Sequence, residues 1–248
     1  MAQGLAAAMR AAAAARMADS AGIQVLSAGA MQPGLIAVAP EFRRQSGHDL
    51  KVTYAIASEL RRRIGGGEIA DVVLAPVAAI AELENGGRVA AEGQVAVGSV
   101  GAGVVARNGA PSPGVGSTEA LKRSLLDADS VVYNRASSGV YIEAMLKKIG
   151  VYEQIRDKLI RYDDGTAVMH HLMRGQGREF GFGGITDILM YRDKGLRLVG
   201  SLPEEIQNYT AYAAAVITTS PHPDAAQALL QFLASPPGKA LFSTNGIR

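Results

Sequence analysis

The residues best suited to chemistry stand in one short run, Tyr133-Asn134-Arg135-Ala136-Ser137-Ser138-Gly139-Val140-Tyr141. An apolar stretch, Ser130-Val131-Val132-Tyr133, precedes it and reads as a buried strand. Val140, Ala144, Met145 and Ile149 follow at helical spacing. A strand, a serine–glycine loop and a helix in that order form an anion pocket. The first helical turn has N–H groups without intrahelical partners, the macrodipole adds partial positive charge there, and serine hydroxyls add donors. Ser137 or Ser138 can equally be a plain N-cap, and on these residues alone both readings stand. A second set has the chemistry of proton transfer: His170 and His171, with the carboxylates Glu59, Asp163 and Asp164. Histidine titrates in the right range for a proton shuttle. Adjacent helical side chains point apart, so at most one histidine faces a shared site, and the pair is a poor metal chelate. Asp163-Asp164 reads first as a helix cap. No metal site and no cofactor are expected.

A length of 248 residues allows one large domain or two moderate ones, and 48% apolar residues suffice for a globular core. The net charge of +2 and the lack of any nucleic-acid-binding motif argue against nucleic acid as a partner. With no cysteine, disulfides, thiolate metal sites and cysteine nucleophiles are excluded. Tryptophan is absent and aromatics are only 5%, which favours a small polar or anionic ligand over a large apolar one. Residues 1–21 read as an alanine-rich extension whose apolar run is broken by Arg10 and Arg16, neither a clean export signal nor a membrane span.

Strand and helix then alternate. Strands are expected at 23–28, 50–55 and 70–75. Between them come a helix carrying Leu35, Ala39 and Phe42 and stopped by Gly47, and a helix over 59–64 capped by Ser58. A third helix over 77–83 follows the last of these strands. This rhythm predicts a parallel, doubly wound sheet covered on both faces. Further on, extended segments are expected at 95–105, 179–184, 196–199 and 212–217. Helices are expected at 118–126, 140–149, 152–159 and 167–173, with a short one capped by Thr186 and a strongly helical tail over 223–242. In such sheets ligands bind at the carboxyl ends of the strands. The loops there are built mostly of small residues: Ala28-Gly29-Ala30-Met31, Ala55-Ile56-Ala57-Ser58, Ala75-Pro76, 134–139, Asp164-Gly165-Thr166 and Gly183-Gly184-Ile185-Thr186.

From Ile23 onward the chain resembles the type II periplasmic solute-binding proteins, in particular the molybdate-binding branch. The resemblance rests on Val25-Leu26-Ser27-Ala28-Gly29-Ala30, on Gly67-Glu68-Ile69-Ala70-Asp71-Val72-Val73, on Ser138-Gly139-Val140-Tyr141, and on the closing helix with Pro236-Pro237-Gly238. It implies two doubly wound α/β lobes joined by two crossing strands, with the ligand clamped by hinge closure. The first lobe is then 22–102 with 213–248, and the second 103–212. It implies a periplasmic monomer that holds a small anion for the membrane subunit of an ABC transporter. Carried over residue by residue, the branch's oxyanion-binding serines fall on Ala30 and Ala57, its backbone donors on Ser138 and Thr166, and its closing tyrosine on Gly184. Met31, Ser58, Arg135, Ser137 and Thr186 complete the expected ligand contacts. Two hydroxyls and a tyrosine are thus replaced, and an arginine fork at Arg135 suits a carboxylate. Sequences similar to this branch include aconitate isomerases. The alternative reading is therefore an isomerase of a small tricarboxylate, with His170, His171 or Glu59 as the base. A cytosolic sensor on the same scaffold is the third reading.

Overall fold

The computed structural model describes residues 22–248; the alanine-rich segment 1–21 lies outside the described residues. In chain order the elements begin with β1 (Gly22–Ala28), α1 (Gln32–Ser46), β2 (Asp49–Ala55), α2 (Ala57–Gly65), β3 (Val72–Pro76) and α3 (Val77–Asn85). Next come β4 (Val95–Arg107), α4 (Thr118–Asp127), β5 (Ser130–Asn134), α5 (Ser137–Lys148), α6 (Tyr152–Ile155) and β6 (Leu159–Tyr162). The chain closes with α7 (Gly165–Arg174), β7 (Glu179–Gly184), α8 (Ile185–Leu189), β8 (Leu196–Ser201), β9 (Tyr209–Val216), α9 (Pro223–Ala234) and α10 (Pro236–Ser243). Two compact units result. One holds residues 22–98 and Tyr212–Thr244, the other Ser99–Ala211 and Asn245–Arg248. The chain changes unit inside β4, inside β9 and after α10.

In the first unit the strand order is β2-β1-β3-β9. β1 runs parallel to β2 and β3, and β9 runs antiparallel to β3. Every residue of β3 is buried, as expected for a strand covered on both faces. Helix α1 continues through Pro40, which sits at an exposed position, while Leu35, Val38 and Phe42 turn inward. Phe42 meets Phe232 of α9 edge-on at 5.6 Å, which ties the C-terminal helices to this unit. Gly47 ends α1 in the left-handed region at φ 83°, and its N–H donates to the Arg43 carbonyl at 2.8 Å. Asp71 is fully buried. Its Oδ2 accepts from the Gln24 N–H at 2.7 Å, and its Oδ1 accepts from the Ser220 hydroxyl at 2.6 Å and the His222 N–H at 3.1 Å. One carboxylate thus fastens β1, the start of β3 and the approach to α9.

In the second unit the order is β4-β7-β5-β6, and β8 pairs with β4. β5 is parallel to both β6 and β7, whereas β4 is antiparallel to β7 and β8. The two-residue period of β5 divides the core. Val131 and Tyr133 join Leu121, Ile142, Leu146 and Phe182 on one face, while Val132 joins Val168, Met169 and Leu172 on the other. The sheet is therefore covered on both faces by helices, and it is mixed rather than wholly parallel.

Several local expectations are corrected. Leu159, expected to end a helix, instead opens the strand β6, which carries on through 160–162, where no element was expected, and is paired from Val131↔Leu159 to Asn134↔Tyr162. Pairing with a buried neighbour outweighs the weak helical preference of so short a stretch. The helical tail consists of two helices that break at Ser235, whose hydroxyl accepts from the Gly238 N–H at 3.3 Å ahead of two prolines. Ser58 and Thr186 are not caps. The N-caps are Ile56 and Gly184, both extended and without a side-chain bond, so each hydroxyl lies inside the first turn.

Asp71→Ala strands three donors gathered by one buried carboxylate. It is expected to cost about 3 kcal/mol in urea unfolding; a loss below about 0.5 kcal/mol would show that the cluster is not a fastening point.

Candidate functional site

The pairing register of the second unit brings three strand ends to one level. Asn134, the last residue of β5, lies opposite Tyr162, the last of β6. Val132 lies opposite Gly181, so Asn134 is level with Gly183 near the end of β7. Helices α5 and α7 begin at Ser137 and Gly165, and α8 begins directly after β7. The N-termini of two full helices therefore stand over neighbouring strands.

Asn134 builds the first of these turns. It is buried, its Oδ1 accepts from the Ala136 N–H at 2.8 Å, and its Nδ2 donates to Ser138 Oγ at 3.3 Å. Ala136 is the N-cap of α5, with no side-chain cap bond, and the Val140 N–H makes the first helical bond to the Ala136 carbonyl at 3.0 Å. The N–H groups of residues 137–139 thus open the helix as free donors. Neither Ser137 nor Ser138 is the cap. Gly139 is required by contact: a Cβ there would lie 1.7 Å from the Asn134 carbonyl oxygen. In α7 the cap is Asp164, whose Oδ1 accepts from the Ala167 N–H at 2.8 Å. Gly165 and Thr166 are then the open donors of that turn. Arg135 is exposed at the rim, its N–H donating to the Tyr162 carbonyl and its guanidinium pairing with Asp163 at 2.7 Å.

The same loops hold a carboxylate that the sequence reading missed. Asp187 Oδ2 lies 3.3 Å from where a Cβ would stand at Gly165 and 3.2 Å from where one would stand at Gly184. The Asn134 Nδ2 is 3.7 Å from the same Gly165 position. Asp187 therefore sits between the starts of α7 and α8, beside the Asn134 turn. Burial, and secondly the Asp164 carboxylate nearby, push its pKa up from the usual 3.8 to about 6. Among the described residues no hydrogen bond or ion pair is formed by its carboxylate. Next to it Thr186 is fully buried, and its hydroxyl also has no hydrogen-bond partner. An aspartate in a first helical turn is commonplace in sequence, so only its spatial neighbours single it out.

The other expected residues are placed as follows. In the first unit, Ala28 is level with Ala55, and Ser27 with Leu74, so the ends of β1, β2 and β3 are also level. Ala30 and Met31 are buried in the turn after β1, Ala57 opens α2 half-buried, and Ser58 is exposed beside it. Glu59 is held by Arg62 through a two-pronged pair at 2.6 and 2.8 Å, a hydrogen-bonded charge that keeps its carboxyl below the usual range. It is poorly suited to be a base. Arg61 and Arg63, its neighbours in the arginine run, pair with Glu82 and Glu68. His170 is exposed against the Tyr191 ring at 5.9 Å. His171 bonds through Nδ1 to the Tyr162 hydroxyl at 2.9 Å, and its Nε2 is 3.7 Å from Glu179, the first residue of β7. The Nε2 of His171 thus faces the far end of β7 from Gly184. Thr166 is exposed and Gly184 is buried as the cap of α8.

Residues 23–248 match the family model described as bacterial extracellular solute-binding protein. The chain belongs to this solute-binding family. An aconitate isomerase from Pseudomonas sp. is 30% identical over 234 residues, which is 91% of this chain and 87% of that protein. The periplasmic molybdate-binding protein of Azotobacter vinelandii shares the fold with a TM-score of 0.74 at 14% identity, covering 91% of this chain and 98% of its own. A sulfate-binding protein from Mycobacterium tuberculosis aligns with a TM-score of 0.73 at 20% identity, over 92% of this chain and 86% of that one. The type II periplasmic binding fold expected from the motifs is thus the fold of this solute-binding family member.

Gly139→Ala is expected to cost roughly 3 kcal/mol or more, because the contact is with backbone; thermal melting within a degree of the parent would contradict the packing. Asp187→Asn tests the strained carboxyl. A folded-state pKa above the unfolded value penalises the folded chain wherever the group ionises. The penalty is therefore absent below about pH 4 and complete above about pH 6. Asp187→Asn should stabilise the protein at pH 8 by roughly 1–3 kcal/mol and have little effect at pH 4. Equal effects at both pH values would show that Asp187 is not held in this way.

Proposed function

We propose that the chain binds a small organic polycarboxylate at the strand-end loops of its second unit. The observation that carries this reading is the level placement of α5 and α7, with the open N–H groups of residues 137–139 and 165–166 over adjoining strands. Such N–H groups and their helix dipoles favour anionic oxygen. Arg135 adds a planar cation whose exposed pair with Asp163 contributes little and is readily exchanged for a ligand carboxylate. A tetrahedral oxyanion is the weaker candidate. The hydroxyls that the molybdate-binding pattern places at the ends of β1 and β2 are alanines here, and its tyrosine is Gly184. Each missing bond to a charged ligand forgoes roughly 1.5–3 kcal/mol.

Family membership supports a transport role: a periplasmic protein that holds its anion for the membrane subunit of an ABC transporter. A second reading, an isomerase of a tricarboxylate, is favoured by the relative named aconitate isomerase, which matches along 91% of the chain. A thermal-shift panel of cis- and trans-aconitate, citrate, succinate, molybdate, tungstate, sulfate and phosphate separates the ligand classes. The expected result is stabilisation by polycarboxylates, approaching about 2.7 kcal/mol at a hundredfold excess over Kd. Stabilisation by molybdate or tungstate alone would overturn the carboxylate reading.

A further inference from the structure

We propose that Asp187 is a catalytic residue that moves a proton on the bound anion, so that the site catalyses a 1,3-proton shift in an unsaturated polycarboxylate. This rests on the isomerase reading above and adds the group responsible. Asp187 Oδ2 lies within 3.3 Å of the points where a Cβ would stand at Gly165 and Gly184, so the two glycines leave it room. The open donors of α7 begin at Gly165 itself, and the Asn134 amide that shapes the α5 turn reaches the same spot. A carboxylate held at those N–H groups brings its neighbouring carbons within reach of Asp187.

The other carboxylates of α5 and of the turn before α7 are already engaged. Asp164 caps the Ala167 N–H, Asp163 pairs with Arg135, and Glu143 pairs with Lys147 and Arg161. Asp187 has no such partner among the described residues, and the adjoining Thr186 hydroxyl is buried without one. A fully buried hydroxyl without a partner is costly unless a ligand completes it, and the half-buried Asp187 carboxylate beside it keeps a face open to one. The rise of the Asp187 pKa to about 6 fits a group that must both accept and return a proton near neutrality. The bases expected from sequence are less suited: Glu59 is tied to Arg62, His170 is exposed against the Tyr191 ring, and the Nε2 of His171 faces the first residue of β7.

The step balances without an oxidant or co-reactant. The Asp187 carboxylate takes one proton from the methylene carbon beside the double bond. The C–H electron pair becomes the new double bond, and the old π pair moves to the former vinyl carbon, its charge delocalised into the attached carboxylate. Open N–H groups at the helix starts stabilise that charge. The carboxylic acid of Asp187 then returns the proton to the former vinyl carbon, which becomes the methylene.

The test uses the full chain with trans-aconitate in deuterium oxide, followed by proton NMR, with affinity measured separately by calorimetry. The wild type is expected to form the cis isomer and to exchange methylene protons for deuterium, with a rate that rises through pH 6. Asp187→Asn should bind within about threefold of the wild-type affinity and lose turnover by at least about 100-fold. Asp187→Glu should keep a measurable fraction, and His171→Gln should turn over like the wild type. Turnover by Asp187→Asn within tenfold of wild type would remove Asp187 from the role while leaving the isomerase reading intact. Wild-type binding with neither isomerisation nor exchange would overturn the proton transfer and leave the polycarboxylate reading standing. Failure of the wild type to bind any polycarboxylate would overturn both.

Discussion

The backbone pairing of β5 with β6 and β7 is the constraint on which the rest depends. It sets Asn134 opposite Tyr162 and level with Gly183, so the chain must leave the sheet three times at one height. A slip of one residue would turn Val132 toward the face of Val131 and Tyr133, and would exchange the core of one layer for that of the other. The hydrophobic division between the two faces therefore protects the height of the loops as well as the core. The Asn134 side chain then converts a strand end into a helix start. Its amide satisfies the Ala136 N–H and the Ser138 hydroxyl, and Gly139 allows the first helical turn to press onto the Asn134 carbonyl.

Electrostatics at these loops run against folding in one place and with it elsewhere. Asp164 and Ser117 are ordinary caps that satisfy helix donors and stabilise their helices. The Asp187 carboxyl is not satisfied, and the Asp164 carboxylate makes its ionisation harder. A group that destabilises the fold where it is charged, in loops that already present open N–H donors, fits the ligand site proposed above. The first unit shows the contrast. Its buried carboxylate, Asp71, is fully hydrogen-bonded, and its arginine run is matched to Glu59, Glu68 and Glu82.

Much of this was legible in the sequence because the signals were local. Apolar strands of five to seven residues punctuated by glycine, and the serine–glycine loop after Tyr133, carry their meaning within a few positions. Gly47 could be read as a stop for α1 because only its own φ was at issue. What escaped the reading depends on partners distant in sequence. Residues 159–162 are a strand because β5 lies beside them, not because of their own propensity. Ser58, Ser137, Ser138 and Thr186 have the chemistry of caps, but the chain enters each helix one or more residues earlier, so the hydroxyls fall inside the turn. His170 and His171 drew attention by type, and the direction of α7 carries them away from its N-terminus. Asp187 has no motif around it, and its character comes from Gly165, Asn134 and Asp164, more than twenty residues upstream.

The central claim is that the starts of α5 and α7 hold a carboxylate, with Asp187 beside it. A crystal structure of the chain soaked or grown with trans-aconitate tests it most directly. The account predicts carboxylate oxygens within about 3 Å of N–H groups among residues 137–139 and 165–166, and the Asp187 carboxyl facing the carbon next to the double bond. A well-ordered ligand that leaves those N–H groups unengaged would contradict it.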